Sequence, residues 1–277
     1  MKNVLLLILS FNFISFSAQK TPLEISKFVL SNRDHKEQYQ QYIFENRNIE
    51  LKYEREKEEK YELDYRVFDA GENYKVVDVT ATDKSHSQYD FYLYFTRVNE
   101  EWKLFDAQKL PNVTFAYVAF AKYLTEEQIE EVLKSKNEEK LFTTREQYSY
   151  IKRIYDLGNR SDDDLIGHFT KLKSEFNTLK NEFIKFRTLQ SDYTRFQSNQ
   201  KFKDDFSRLT LSEIDEYLPF TRNTIAFVIC RMENNAVGYF YTDKGNPVTV
   251  IDPGGMLFLR EIGEGWYLFK MKNKKKN

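Results

Sequence analysis

The chain has 277 residues, with 42 Lys and Arg against 43 Asp and Glu, a formal net charge of −1, and one cysteine, Cys230. That balance offers no basic footprint for nucleic acid. A lone cysteine excludes an intramolecular disulfide, so any fold has to hold by its core.

The first eighteen residues form a leader-like segment. Lys2 supplies a positive start, Val4 to Phe16 is mostly apolar, and Ser15-Phe16-Ser17-Ala18 ends in small residues. This is the layout of a secretory signal, cut after Ala18 or Ser17. The apolar run is shorter than the about 20 residues a spanning helix needs, and no second long apolar run follows, so no membrane span is expected after cleavage. No cysteine stands near the signal, so a lipoprotein-type anchor on that residue is not expected. The expected location is periplasmic or secreted.

Residues 19–110 read as a helix followed by an antiparallel sheet. Thr21-Pro22-Leu23-Glu24 combines a cap, a first-turn proline and a capping-box glutamate, with weak helical spacing to about Ile43. Period two then dominates. Tyr61, Leu63, Tyr65 and Val67 alternate with polar residues, as do Val77, Val79 and Ala81, and Tyr89, Phe91, Leu93 and Phe95. This pattern predicts an antiparallel meander with one wet face.

Residues 111–160 read as a helical connector. Between 112 and 218 there is no proline, and the only glycines are Gly158 and Gly167. Thr125 with Gln128, Thr143 with Glu146, and Ser161 with Asp164 resemble helix starts. The last opens 161–277, a long helix plus a sheet. Leu165, Phe169, Leu172, Phe176, Leu179, Phe183 and Phe186 step by four and three, an apolar seam on one helix face over 162–190. It can lie on a sheet, form a helical hairpin with Arg145–Leu157, or pair as a coiled coil, although Phe is a poor coiled-coil knob. Ile225 to Cys230 is apolar on both faces, as in a central strand. Asp243-Lys244-Gly245-Asn246 and Asp252-Pro253-Gly254-Gly255 read as turns, Gly263-Glu264-Gly265 as the turn of a last hairpin, and Lys270 with Lys272 and Lys274–276 as a solvated basic tail.

The segment Leu93 to Phe105 aligns without gaps on Leu257 to Phe269, sharing Leu93/Leu257, Glu100/Glu264, Trp102/Trp266, Leu104/Leu268 and Phe105/Phe269. Two copies of one α+β unit is one reading; independent strand-turn-strand patterning is the other. A terminal hairpin with an acidic or glycine turn before Trp-x-Leu resembles the last strands of NTF2-like and cystatin-like domains. That resemblance implies curved sheets wrapped on helices, often around a cone-shaped pocket. Its enzymatic members place Asp and His side chains in the cone. No motif transfers such a role to a numbered position here, and 111–160 departs from a simple tandem arrangement.

Few residues suggest chemistry. His35, His86 and His168 form no His-Glu-x-x-His, and there is no Cys-x-x-Cys, phosphate loop, nucleophile elbow or dinucleotide fingerprint. No metal site and no cofactor is therefore expected. His168 is the histidine nearest a groove, and Asp252 is a loop acid that turn chemistry already explains; these two are the weak catalytic candidates. Cys230 reads as a buried inert thiol. Trp102, Trp266, Phe169, Phe176 and Phe183 are the expected structural anchors. The aromatics, 24 Phe and 19 Tyr, suit ligand stacking or an ordinary core. The expectation is an α+β, exported, non-catalytic module that binds a protein or a small apolar ligand. The alternatives are an NTF2-like hydrolase or isomerase with an acid/His pocket, and an assembly protein pairing through 162–190.

Overall fold

The computed structural model describes residues 19–49, 51, 61–84, 86, 88–109, 124–137, 140–189, 200–215, 224–232, 235–242 and 255–272. Residues 1–18, where a signal is expected, Asp252 and the lysines at 274–276 lie outside the described residues.

Among the described residues, two antiparallel sheets accompany seven α-helices, an α+β fold. Thr21 caps α1 (Pro22–Ser31): the Glu24 N–H donates to its Oγ1 at 3.3 Å, and its own N–H donates to the Glu24 carboxylate at 2.8 Å. The helix ends well before Ile43, because Asn32 Nδ2 turns back to donate to the Phe28 carbonyl at 2.8 Å. A short α2 (Lys36–Tyr39) follows. Strands β1 (Glu62–Gly71), β2 (Tyr74–Thr82), β3 (Gln88–Val98) and β4 (Glu101–Lys109) then form the meander, in that order. Asn99 and Glu100, at φ 49° and 68°, make the β3–β4 turn.

The expected wet face of this sheet is absent at its centre. On one side Val77, Val79, Phe91, Leu93 and Phe95 pack on Ile25, Val29 and Tyr39. On the other, Val76, Tyr92 and Tyr94 are equally buried, in a core shared with the second sheet. Alternating polar residues led to the opposite expectation; those on β2 and β3 face protein, not water.

The middle helices are α3 (Glu126–Lys134), α4 (Arg145–Gly158), α5 (Asp162–Lys171) and α6 (Lys173–Leu189), followed by α7 (Gln200–Leu209). The cap of α4 is Thr144, whose Oγ1 accepts from the Gln147 N–H at 3.2 Å, one residue later than the pattern suggested. The seam helix is broken at Leu172, with φ −112°. The Leu172 N–H is shared between the His168 and Phe169 carbonyls at 3.2 and 3.0 Å, and Phe176 resumes the ladder onto the Leu172 carbonyl at 3.0 Å. Phe169, Phe176 and Phe183 stay buried across the break. The seam lies on the second sheet. The helix beside α6 is α7, while α4 packs on β6 (Thr224–Met232) rather than serving as a hairpin arm.

Strands β5 (Glu213–Asp215), β6, β7 (Asn235–Thr242), β8 (Met256–Gly263) and β9 (Trp266–Lys272) order as β5-β6-β7-β9-β8. Strand β6 is interior, and Ile225 to Cys230 are buried on both faces, as the sequence predicts. The two echoing hairpins sit oppositely: β3, the first strand of its hairpin, is interior to its sheet, whereas in the second sheet the interior strand is β9, the second of its pair. The tryptophans differ as well. Trp266 is fully buried and donates from Nε1 to Asn177 Oδ1 at 3.1 Å, while Trp102 is only half-buried. No helix among the described residues is long and apolar enough to cross a membrane.

Candidate functional site

Charged side chains meet where the two sheets face each other. Parity places Asp78 and Thr80 of β2, Asp90 of β3 and Lys270 of β9 on inner faces. Register sets Asp78 opposite Tyr92 and Thr80 opposite Asp90. Into this gap α5 points its N-terminus, bringing Asp162. Asp78, Asp90 and Asp162 are 1%, 5% and 1% exposed, and Lys270 is 3% exposed, so the site is closed to solvent.

Each contact has a physical reason. Ser161 caps α5, its Oγ accepting from the Asp164 N–H at 3.3 Å. The free N–H of Asp162, in the first turn, donates to Asp90 Oδ2 at 2.6 Å, so Asp90 supplies an anion to a helix N-terminus from a strand far away in the chain. Thr80 Oγ1 donates to Asp90 Oδ1 at 2.7 Å. Tyr92 donates its hydroxyl to Asp162, with oxygens at 3.1 and 3.2 Å. Lys270 Nζ donates to Asp162 Oδ1 at 2.6 Å and Asp90 Oδ2 at 3.2 Å. Asp78 differs: among the described residues neither of its carboxylate oxygens has a hydrogen-bond partner.

Burial decides the proton affinities. It pushes the Asp78 carboxyl up to about 9, with Asp162 and Asp90 adding to the rise and Lys270 and Arg66 opposing it. Burial also raises Asp162, to about 6, against the pull of Lys270. For Lys270 burial works the other way, but Asp162 and Asp90 outweigh it and hold the ammonium above the usual lysine value. Burial beside three acids raises the Tyr92 phenol well above its ordinary range.

A second layer closes the site. Arg66 of β1 grips Asp163 through two hydrogen bonds, and Arg260 lies 3.6 Å from the same carboxylate. Tyr92 stacks on Phe258 at 4.8 Å between centroids, and Tyr94 donates to the Leu257 carbonyl at 2.6 Å. These contacts join the two sheets around the charges.

The residues singled out from sequence fall elsewhere. His168 is half-buried and its Nε2–H donates to the Leu209 carbonyl at 3.0 Å, tying α5 to the end of α7. Burial lowers its proton affinity, as does Lys171, while the bond to Leu209 opposes them. Cys230 is buried, which pushes its thiol up to about 12 with help from Glu213. Lys270, expected in a solvated tail, is the buried cation of the cluster, because β9 runs through the core. Asp78, Asp90 and Asp162 carried no motif.

Open space lies at the surface. A hollow of about 490 Å³ between α4 and α7 is lined by Tyr150 and Phe206 at its floor and Glu146, Lys203 and Asp204 at its rim. A smaller one of about 230 Å³ lies beside Trp102, Tyr42 and Lys20. Phe169 and Phe176 of the helices pack with Phe227, Tyr239 and Trp266 of the second sheet, with ring centroids 5.0–6.2 Å apart. No protein-family model, curated protein or solved structure matches the chain.

Proposed function

We propose that this chain is an exported, non-catalytic binding protein that recognises a segment of another protein on the outside of its helical layer. The observation that supports the reading is the filled aromatic core of the second sheet: Phe169, Phe176, Phe227, Tyr239 and Trp266 are buried and pack against one another. The acids with shifted proton affinity are sealed from any substrate, and His168 spends its ring nitrogen on a backbone carbonyl. The seam that would serve coiled-coil pairing is spent on the chain's own sheet. The leader-like first eighteen residues support export.

Recognition then falls to the surface, and the α4–α7 hollow has the right character. An aromatic floor of Tyr150 and Phe206 accepts an apolar anchor residue, and rim charges of both signs suit polar flanks on a peptide segment. A photo-crosslinking residue in place of Lys203, in a cell that processes the leader, tests this. One dominant protein adduct is expected at position 203, absent at a control site on the far face of α3 (Glu127), and lost on Glu146→Lys. Equal labelling at both positions, or an uncut precursor retained in the cytosol, overturns the reading.

A further inference from the structure

We infer that Asp78, Asp90 and Asp162 form a buried site for one divalent, oxygen-seeking cation, of calcium's size, that pins the two sheets together. Each aspartate offers a carboxylate oxygen, and these oxygens all lie within 4.8 Å of one another. Ligands about 2.3–2.6 Å from a calcium ion stand at most about 5 Å apart, whereas those around magnesium, at about 2.0–2.1 Å, must draw closer. A spread of no more than 4.8 Å lies within the reach of a single calcium ion.

The independent observation is Asp78. It is 1% exposed, it sits in the cluster, and neither of its oxygens has a partner among the described residues. A buried carboxylate without a donor is costly, and native folds rarely leave one so. The neighbouring cation does not serve it: Lys270 is engaged with Asp90 and Asp162. Arg66 and Arg260 turn to Asp163 instead. When an ion displaces the proton that burial keeps on Asp78, three carboxylates face one ammonium, and a divalent cation matches the remaining charge. Hard oxygen ligands exclude a preference for soft metals. The surrounding hydrogen bonds also suit the role: Thr80 fixes Asp90, and Tyr92 fixes Asp162, as donors orient ligating carboxylates in metal sites. Because the site is sealed, the ion enters as the sheets close, so binding is coupled to folding.

The test uses the full chain, unfolded in denaturant with EDTA and refolded with calcium chloride or with EDTA alone. After desalting, the calcium-refolded protein should retain one calcium per chain and show a higher Tm than the EDTA sample. Asp78→Asn should lose both effects while keeping the wild-type circular dichroism. Asp69→Asn, an exposed carboxylate on β1, should keep both. Terbium in place of calcium gives a readout independent of any variant, since Tyr92 beside Asp162 should sensitise its emission. Folded wild type that retains no calcium and shows no sensitised terbium emission overturns the proposal, as does undiminished retention by Asp78→Asn.

Discussion

The backbone N–H of Asp162, in the first turn of α5, donates to the side chain of Asp90 on β3 at 2.6 Å. A strand of the first sheet thereby caps a helix of the second half. Helix N-termini favour anions and their first N–H groups lack intrahelical partners, so this bond joins both needs in one buried contact. It also fixes which face of the first sheet the second half covers.

The proton balance of Asp78 should make the protein more stable at acid than at alkaline pH when metal is chelated. A carboxyl raised from 3.8 to about 9 in the fold is penalised when ionised. The folded state holds a proton that the unfolded chain releases above its own pKa, so stability falls as pH rises from about 4 to about 9. Asp162, raised to about 6, adds to the loss between about 4 and 6. In EDTA, Asp78→Asn should gain about 1–3 kcal/mol at about pH 8 and nothing at about pH 4. Urea midpoints at the two values measure it; an equal effect at both would contradict the assignment of the raised carboxyl to Asp78.

Lys270→Met removes the only cation that contacts Asp90 and Asp162 within the described cluster. Breaking a buried pair from one side costs about 3–5 kcal/mol. The loss should be largest at about pH 8 and shrink at about pH 5, where Asp162, at about 6, takes a proton. Chemical denaturation across that range checks the direction. A loss that does not vary with pH would mean that the stem of Lys270, not its charge, matters.

How legible all this was depended on which signals are local. Capping boxes at Thr21 and Thr125 and period-two runs in β1 to β4 are written in adjacent residues, and the structure keeps them. The Phe169–Phe176–Phe183 seam was legible because one helix face repeats. The break at Leu172 was not, since no Pro or Gly marks it. The charge cluster was hidden for a different reason. Asp78, Asp90 and Lys270 alternate with apolar neighbours as residues on a solvated strand face do; only the docking of the second sheet, a long-range event, makes that face interior. The run Val76-Val77-Asp78-Val79, a lone acid among residues strongly apolar on both sides, was the one local hint.

The paired tryptophans should separate in energy although the sequence matches them. Trp266 is 0% exposed and packs against Phe169, Phe176 and Phe227. Trp266→Ala should cost about 3–5 kcal/mol. Trp102, half-buried under Lys75 and Arg97, should cost about 1–2 kcal/mol, mostly lost area. Equal losses in thermal unfolding would contradict the difference in burial.

Two glycines should respond oppositely to alanine. Gly238 lies in β7, where a Cβ would stand 2.3 Å from the Phe227 carbonyl oxygen and 2.9 Å from Val228 Cα. Both are backbone atoms of β6 beside an irregularity in register between Val228 and Cys230, so neither can swing aside. Gly238→Ala should therefore destabilise by about 3 kcal/mol or more. Gly167 lies in α5 with nothing within 4 Å of its added Cβ. There alanine restricts the unfolded chain and favours helix, so Gly167→Ala should stabilise by about 0.5–1 kcal/mol. The pair is measured in one denaturation experiment. Gly167→Ala also leaves the α5 N-terminus untouched, so calcium retention by that variant should equal wild type while its midpoint rises.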